Sequence, residues 1–239
     1  MEMFGRLRGG AAALQDPASL LHAVLGTPLL APLAAGQAEA LFGCGCFWGA
    51  EKGFWRLPGV VTTAVGYAGG AMADPIYEQV CSGRTGHAEV VRVVWDGGVV
   101  SFGDLLKLFW ECHDPTQGDR QGNDRGSQYR SAIYVNDPEL RAQAERSREA
   151  YGRALASRGH GAITTEIAQD RPFFFAEPYH QQYLAKPGSR PYCSAQPTGI
   201  PLPDHEGFHP LLPPAVWDAY DWSIPHCILR GENSPIPLA

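Results

Sequence analysis

A cysteine placed where an extended apolar segment gives way to a helical pattern is the first chemical feature of this chain. Ala40-Leu41-Phe42 runs into Gly43-Cys44-Gly45-Cys46. Beyond it Phe47, Ala50, Phe54 and Leu57 recur at helical spacing until Pro58-Gly59 stops the run. A thiol at a helix start faces unpaired backbone N–H groups and the positive end of the dipole. The pKa of Cys46 is therefore expected to fall, favouring the thiolate; the bland alternative is a buried, inert cysteine. Phe47 and Trp48 follow directly and are either core packing or an apolar wall beside the sulfur. Together these residues suit thiolate attack on a small, partly apolar group. Cys44 lies two residues earlier. If the segment is still extended there, its side chain points away from that of Cys46 and serves packing.

Other residues of chemical interest are spread along the chain. In Ala88 to Trp95 the pattern alternates, placing Glu89 on one face with Val91, Val93 and Trp95. A carboxyl held against such neighbours has a raised pKa and stays protonated near neutral pH; otherwise Glu89 is a solvent-facing strand carboxylate. Tyr77 and Tyr129 are either half-buried core tyrosines or neutral hydrogen-bond donors. Asp124, in Gly122-Asn123-Asp124, either caps a turn or orients a site. His87 reads as a structural hydrogen-bonder rather than a ligand. Cys193 and Cys227 lie late in the chain, each either a bystander or a thiol available for exchange.

The order and spacing of these features resemble the A-type peptide methionine sulfoxide reductases. Gly45-Cys46-Phe47-Trp48-Gly49-Ala50-Glu51 is similar to that family's signature. The resemblance continues at Gly66-Tyr67-Ala68-Gly69-Gly70, Gly83-Arg84-Thr85-Gly86-His87-Ala88-Glu89 and His113-Asp114-Pro115. It extends through Ser127-Gln128-Tyr129-Arg130-Ser131 and His180-Gln181-Gln182-Tyr183, covering roughly residues 38 to 194. It implies reduction of methionine S-sulfoxide, free or in proteins, with Cys46 as nucleophile. Reducing a sulfoxide with a thiol requires attack on sulfur, a proton for the leaving oxygen, donors that hold that oxygen and a wall for the methyl group. The resemblance assigns the proton to Glu89, oxygen binding to Tyr77 and Tyr129, and the wall to Phe47 and Trp48. Asp124 orients the site. Attack leaves a sulfenic acid on Cys46. Cys193, in Arg190-Pro191-Tyr192-Cys193, then closes a disulfide that thioredoxin opens by exchange. Cys227, in Ile224-Pro225-His226-Cys227, is a candidate second recycling thiol, reaching a Cys46–Cys193 disulfide through the tail. Cysteine-dependent acyl transfer with His87 or His180 as base is the competing enzymatic reading, and a non-catalytic redox module is a third.

The elements expected to position these residues are strands over Ala38–Phe42, Val60–Tyr67, Ala88–Trp95, Ser131–Val135 and Ile163–Ala168. Helices are expected after Cys46, from Ser101 to Glu111 with Asp104 completing a capping box, and from Pro138 to about Ser157. Residues 114 to 127 read as a loop. The fold class is α+β, a two-layer sandwich around a mixed β-sheet with a long coil-rich C-terminal tail, as the resemblance implies. The 239 residues divide into an N-terminal extension (1–37), a catalytic domain (38–186) and a proline-rich tail (187–239) carrying the resolving cysteine. Eleven of the 20 prolines lie beyond Lys186, so the tail is expected to wrap the surface as coil, with Trp217, Tyr220 and Trp222 available to pack back.

Composition narrows the partners. A net charge of −6 argues against nucleic-acid and anionic-membrane surfaces. No long uninterrupted apolar run suggests a membrane span. Six cysteines in a chain this size fit redox-active thiols in a reducing compartment rather than a disulfide scaffold. No zinc spacing is present, and neither metal nor cofactor is expected. The expected state is a cytoplasmic monomer. The Ala/Leu/Gly-rich first 37 or so residues, with Arg6 and Arg8, leave open a plastid-type transit segment or a flexible extension.

Overall fold

The structure, a computed structural model, describes residues 19–224 and 227–238. At its centre is a six-stranded sheet. In chain order the strands are β1 (Gln37–Cys44), β2 (Val60–Ala68), β3 (Ala88–Asp96), β6 (Ser131–Val135), β7 (Glu166–Gln169) and β8 (Phe173–Phe175). Their spatial order is β7-β6-β1-β3-β2-β8; β6 and β7 run parallel and every other pair is antiparallel. The sheet is therefore mixed. A separate two-stranded hairpin, β4 (Arg120–Gln121) with β5 (Asp124–Arg125), sits in the segment expected to be irregular.

Three helices supply the second layer: α1 (Phe47–Trp55), α3 (Phe102–Cys112) and α4 (Pro138–Ser157). The main core lies between them and one sheet face. It joins Phe42, Val91, Val93, Trp95 and Ile133 from strands to Phe54, Leu105, Phe109 and Tyr151 from helices. The alternation in β3 has its expected consequence, since Ala88 and Val90 belong to a smaller cluster on the opposite face with Leu41, Ala64 and Phe173. α3 begins with the expected capping box: Ser101 accepts from Asp104 N–H while Asp104 accepts from Ser101 N–H. A short helix α2 (Tyr77–Cys81) and the edge strand β8 have no counterpart in the sequence pattern. Conversely, the strand expected from Ile163 begins only at Glu166.

The described residues before β1, from 19 on, and those after residue 186 both lie against this frame. His22 Nε2 is 2.9 Å from Thr63 Oγ1, and Leu29 is fully buried. The C-terminal segment crosses the outer side of α1 and α3 as a strap containing one four-residue helix, α5 (Pro214–Trp217). Asp104 accepts from Leu211 N–H at 2.8 Å, Tyr220 Oη donates to the Gly53 carbonyl at 2.9 Å, and Lys52 Nζ donates to the Gly231 carbonyl at 2.6 Å. Arg56 lies over the Tyr220 ring, which stacks on Trp222, and Lys107 lies over Trp217. The tail is thus coil-rich but fixed by specific bonds to two helices. Among the described residues no helix is long and apolar enough to cross a membrane.

Candidate active site

β1 ends at Cys44, and the chain must turn sharply to start α1. Gly45 makes that turn at φ +88°, a conformation that favours glycine. A Cβ there would also lie 2.5 Å from Gln121 Cβ. Cys46 then takes the N-cap position of α1. Its side chain enters a cleft of about 320 Å³ lined by Phe47, Trp48, Tyr77, Glu89, Asp124, Tyr129, Tyr183, Arg190 and Tyr192. Cys46, Glu89, both candidate tyrosines, Asp124 and both candidate wall residues are therefore brought together from five separate parts of the chain. Cys193 is not among the lining residues, and the Cys227 side chain lies outside the described positions.

Glu89 is the buried carboxyl of this cleft. It sits near the start of β3, two residues before Val91, which pairs with Phe42 of β1. Its Oε2 accepts from Phe47 N–H at 3.0 Å, using one of the free amides at the α1 N-terminus. Burial pushes its pKa up to about 8; the Phe47 amide opposes that rise and the neighbouring Asp124 charge adds to it. Glu89 consequently holds a proton at neutral pH.

Cys46 departs from the sequence expectation. Its pKa is raised well above that of an ordinary thiol, not lowered. Burial is the largest cause and the Glu89 charge the next, while the Trp48 backbone amide pulls the other way. The helix start acts in the expected direction but is outweighed by desolvation: Cys46 is 8% exposed. The resting group is a thiol beside a protonated carboxyl.

Tyr77 opens α2, and Tyr129 ends a 3₁₀ turn, Ser127–Tyr129. Both are half-buried, with phenol pKa values raised first by burial and therefore neutral donors throughout the ordinary pH range. Glu177 helps place Tyr77: it accepts from Tyr77 N–H and from Tyr67 Oη, each at 2.9 Å. Trp48 stacks on Tyr183 with ring centroids 3.9 Å apart, and Tyr192 meets it edge-on. Asp124 accepts a short hydrogen bond from Tyr192 Oη, so it ties the segment carrying Cys193 to the cleft. Its other oxygen is buried without a partner. Tyr183 and Tyr192 sit inside motifs visible in the sequence, yet nothing in their spacing signals that they meet Trp48.

Cys193 is buried rather than loosely held in a tail. Its sulfur packs against α1 at Gly49, where a Cβ would lie 2.5 Å away. Burial raises its pKa to about 12 against the Ala195 amide, which lowers it. One helical turn along α1, Gly53 receives Ile228, whose Cδ1 would lie 3.1 Å from a Cβ there. Ile228 belongs to the 3₁₀ turn Cys227–Arg230. Two glycines on one helix face thus admit the segments carrying the two late cysteines.

Neither histidine suggested as a base approaches that role. His180 Nδ1 accepts from Trp48 Nε1 at 3.2 Å, and burial lowers its pKa to about 4. His87 is also held near 4 by burial. Contrary to expectation its ring makes no hydrogen bond; it packs edge-on against Phe174 and fills the space beside Gly70.

Comparison with known proteins matches this architecture and motif order. The family model described as "Peptide methionine sulfoxide reductase" matches residues 38–200. A peptide methionine sulfoxide reductase of Azotobacter vinelandii is 59% identical over 198 residues, covering 82% of this chain and 90% of that protein. The solved methionine sulfoxide reductase A of Corynebacterium diphtheriae superposes with a TM-score of 0.69 at 44% identity, covering 85% of this chain and 99% of that one. Mxr1 of Saccharomyces cerevisiae in its reduced form gives a TM-score of 0.61 at 30% identity, covering 68% and 91%. With the family model spanning most of its length, this chain belongs to the peptide methionine sulfoxide reductases, a family of oxidoreductases.

Proposed function

We propose that the protein reduces methionine S-sulfoxide, free and within proteins, through a sulfenic acid on Cys46 and then a disulfide with Cys193. The observation that carries this reading is a buried thiol in one cleft with a carboxyl whose pKa is about 8. A sulfoxide oxygen entering between Tyr77, Tyr129 and protonated Glu89 accepts their hydrogen bonds, which makes its sulfur electrophilic. Cys46 attacks that sulfur. The Glu89 proton goes to the oxygen and the Cys46 proton replaces it on Glu89, so no free thiolate is needed beforehand. The oxygen passes to Cys46, and thiol plus sulfoxide becomes sulfenic acid plus methionine, with no other reactant consumed.

The apolar wall of Phe47 and Trp48 takes the methyl group. One oxygen-binding corner and one apolar wall can satisfy only one sulfoxide epimer, and the family resemblance assigns the S form. Arg190 is exposed at the rim of the cleft, an opening that suits a methionine side chain on a polypeptide as well as the free amino acid.

Cys193 attacks the sulfenic sulfur, forming a Cys46–Cys193 disulfide and releasing water. Thioredoxin restores both thiols by exchange. The placement of Cys193 and of the Cys227 turn on one glycine face of α1 supports Cys227 as a second recycling thiol. It would take over the bond to Cys193 and free Cys46. The reading takes the protein as a monomer, and no step calls for a metal or cofactor. Incubation with methionine S-sulfoxide and dithiothreitol tests the reading. Methionine should form catalytically. A thioester with an acyl donor, or binding without turnover, would replace it.

A further inference from the structure

A second group of buried thiols lies behind the cleft, outside the machinery just described. Cys44, the last residue of β1, and Cys112, the last residue of α3, are each 2% exposed. Their sulfurs and a ring nitrogen of His113 all lie within 4.8 Å of one another. Such a trio suggests a metal site, but His113 has no lone pair to give. Its Nδ1 lies 2.7 Å from the Phe109 carbonyl, which can only accept, so Nδ1 carries the proton. Its Nε2 then accepts from Ser131 Oγ at 2.8 Å. What remains is a pair of neighbouring thiols. Contact with Cys44 is the largest cause holding the Cys112 thiol well above the ordinary value, followed by burial.

The segment that follows Cys193 lies beside the turn between Cys44 and Cys46. Ser194, next to Cys193, has its hydroxyl 3.4 Å from where a Cβ on Gly45 would sit, between Cys44 and Cys46. The Cys193–Ser194 segment therefore runs alongside the turn that carries both early cysteines. Cys193 also lies within the electrostatic reach of Cys112 as well as of Cys46.

We infer that Cys44 and Cys112 form a second redox-active dithiol, which takes up the oxidising equivalent of the Cys46–Cys193 disulfide. The inference rests on the functional reading above, which supplies the oxidant. Cys112 sulfur attacks Cys193 sulfur; the Cys112–Cys193 bond forms, the Cys46–Cys193 bond breaks, and Cys46 leaves as thiolate and takes the proton Cys112 gave up. Cys44 then attacks Cys112, forming Cys44–Cys112 and releasing Cys193, which takes the proton of Cys44. One disulfide and two thiols become one disulfide and two thiols. Cys44 and Cys112 are oxidised, Cys46 and Cys193 are reduced, and the site is ready for another sulfoxide. Closing the pair requires its sulfurs to come within the ~2.05 Å of an S–S bond. Because the new disulfide is buried, its electrons return by the reverse exchange through Cys193. The pair thus stores one reducing equivalent pair for use when external reductant runs short.

The test counts methionine released per chain from excess methionine S-sulfoxide without any reductant, in the parent and in Cys112→Ala. Tryptic mapping of the oxidised parent under non-reducing conditions accompanies it and needs no variant. The parent should release one more methionine per chain than Cys112→Ala, whatever Cys227 contributes to both, and its map should contain a Cys44–Cys112 linkage. Equal yields, or a parent map without that linkage, overturn the inference while leaving the functional reading intact. Absence of methionine from both proteins overturns the functional reading, and this inference with it.

Discussion

Cys44 and Cys46 stand two residues apart on the same turn, both almost fully buried, yet they meet different chemistry. Cys46 caps α1 and opens into a cleft with a protonated carboxyl, two phenols and an aromatic wall. Cys44 ends β1 and turns the other way, into the core with Cys112 and a histidine whose nitrogens are already engaged. A low pKa is not what marks Cys46, because burial raises it. The difference is that Cys46 has a proton donor and room for a substrate, whereas Cys44 has only another thiol. On the proposed reading, reactivity follows what faces the sulfur more than how readily it ionises.

The largest expected break in this contrast is Cys46→Ser. Methionine formation should fall on the order of 10⁴-fold or more, the scale of losing a nucleophile. Cys44→Ala should retain most single-turnover activity. If the two variants lose activity equally in stopped single-turnover assays, the contrast between the thiols is wrong.

Glu89→Gln keeps an acceptor for Phe47 N–H but removes the proton. The sulfoxide step should slow by roughly 10²–10⁴-fold, the usual contribution of a positioned acid, while disulfide closure from preformed sulfenic acid is spared. The pH profile carries the same information. Since Glu89 is raised to about 8, its proton is present below that pH and lost above it, so the single-turnover rate should fall as pH rises through about 8. An enzyme limited by thiolate formation would show the opposite slope, and a rate climbing with pH would remove Glu89 from the role of acid.

Smaller effects should come from the helix face that receives Cys193. In Gly49→Ala the new methyl group would sit 2.5 Å from the Cys193 sulfur. Displacing that sulfur should slow disulfide closure by up to roughly 10²-fold, leaving the first methionine at its normal rate. Quench-flow with thiol labelling separates the two steps. Unchanged closure would mean that Cys193 reaches Cys46 from a position unrelated to Gly49.

Much of this site is legible in sequence wherever a local rule governs it. Alternation along Ala88–Trp95 places Glu89 beside apolar neighbours because the side-chain period of a strand is fixed at two. The Ser101–Asp104 box marks the start of α3 because capping is a matter of four consecutive residues. The elements that escape are short: α2 spans five residues, β8 three, and the β4–β5 hairpin two per strand, too few for any periodicity to emerge. Phe173-Phe174-Phe175, moreover, alternates with nothing. The sign of the Cys46 shift is hidden for a different reason. The dipole at a helix start is local, but the burial that outweighs it is assembled from β3, α2 and the Tyr192 segment, all distant in sequence. The stacking of Trp48 on Tyr183 and the hold of Asp124 on Tyr192 are likewise tertiary, and give the tail an anchoring that its prolines conceal.

The central claim is that oxygen passes from a methionine sulfoxide to Cys46. It is tested most directly by one turnover in Cys193→Ser, without reductant, followed by peptide mass analysis with a sulfenic-acid trap. One methionine per chain, together with one trapped oxygen on the Cys46 peptide, is the expected result. Methionine without a modified Cys46, or the oxygen found on another residue, would contradict the account.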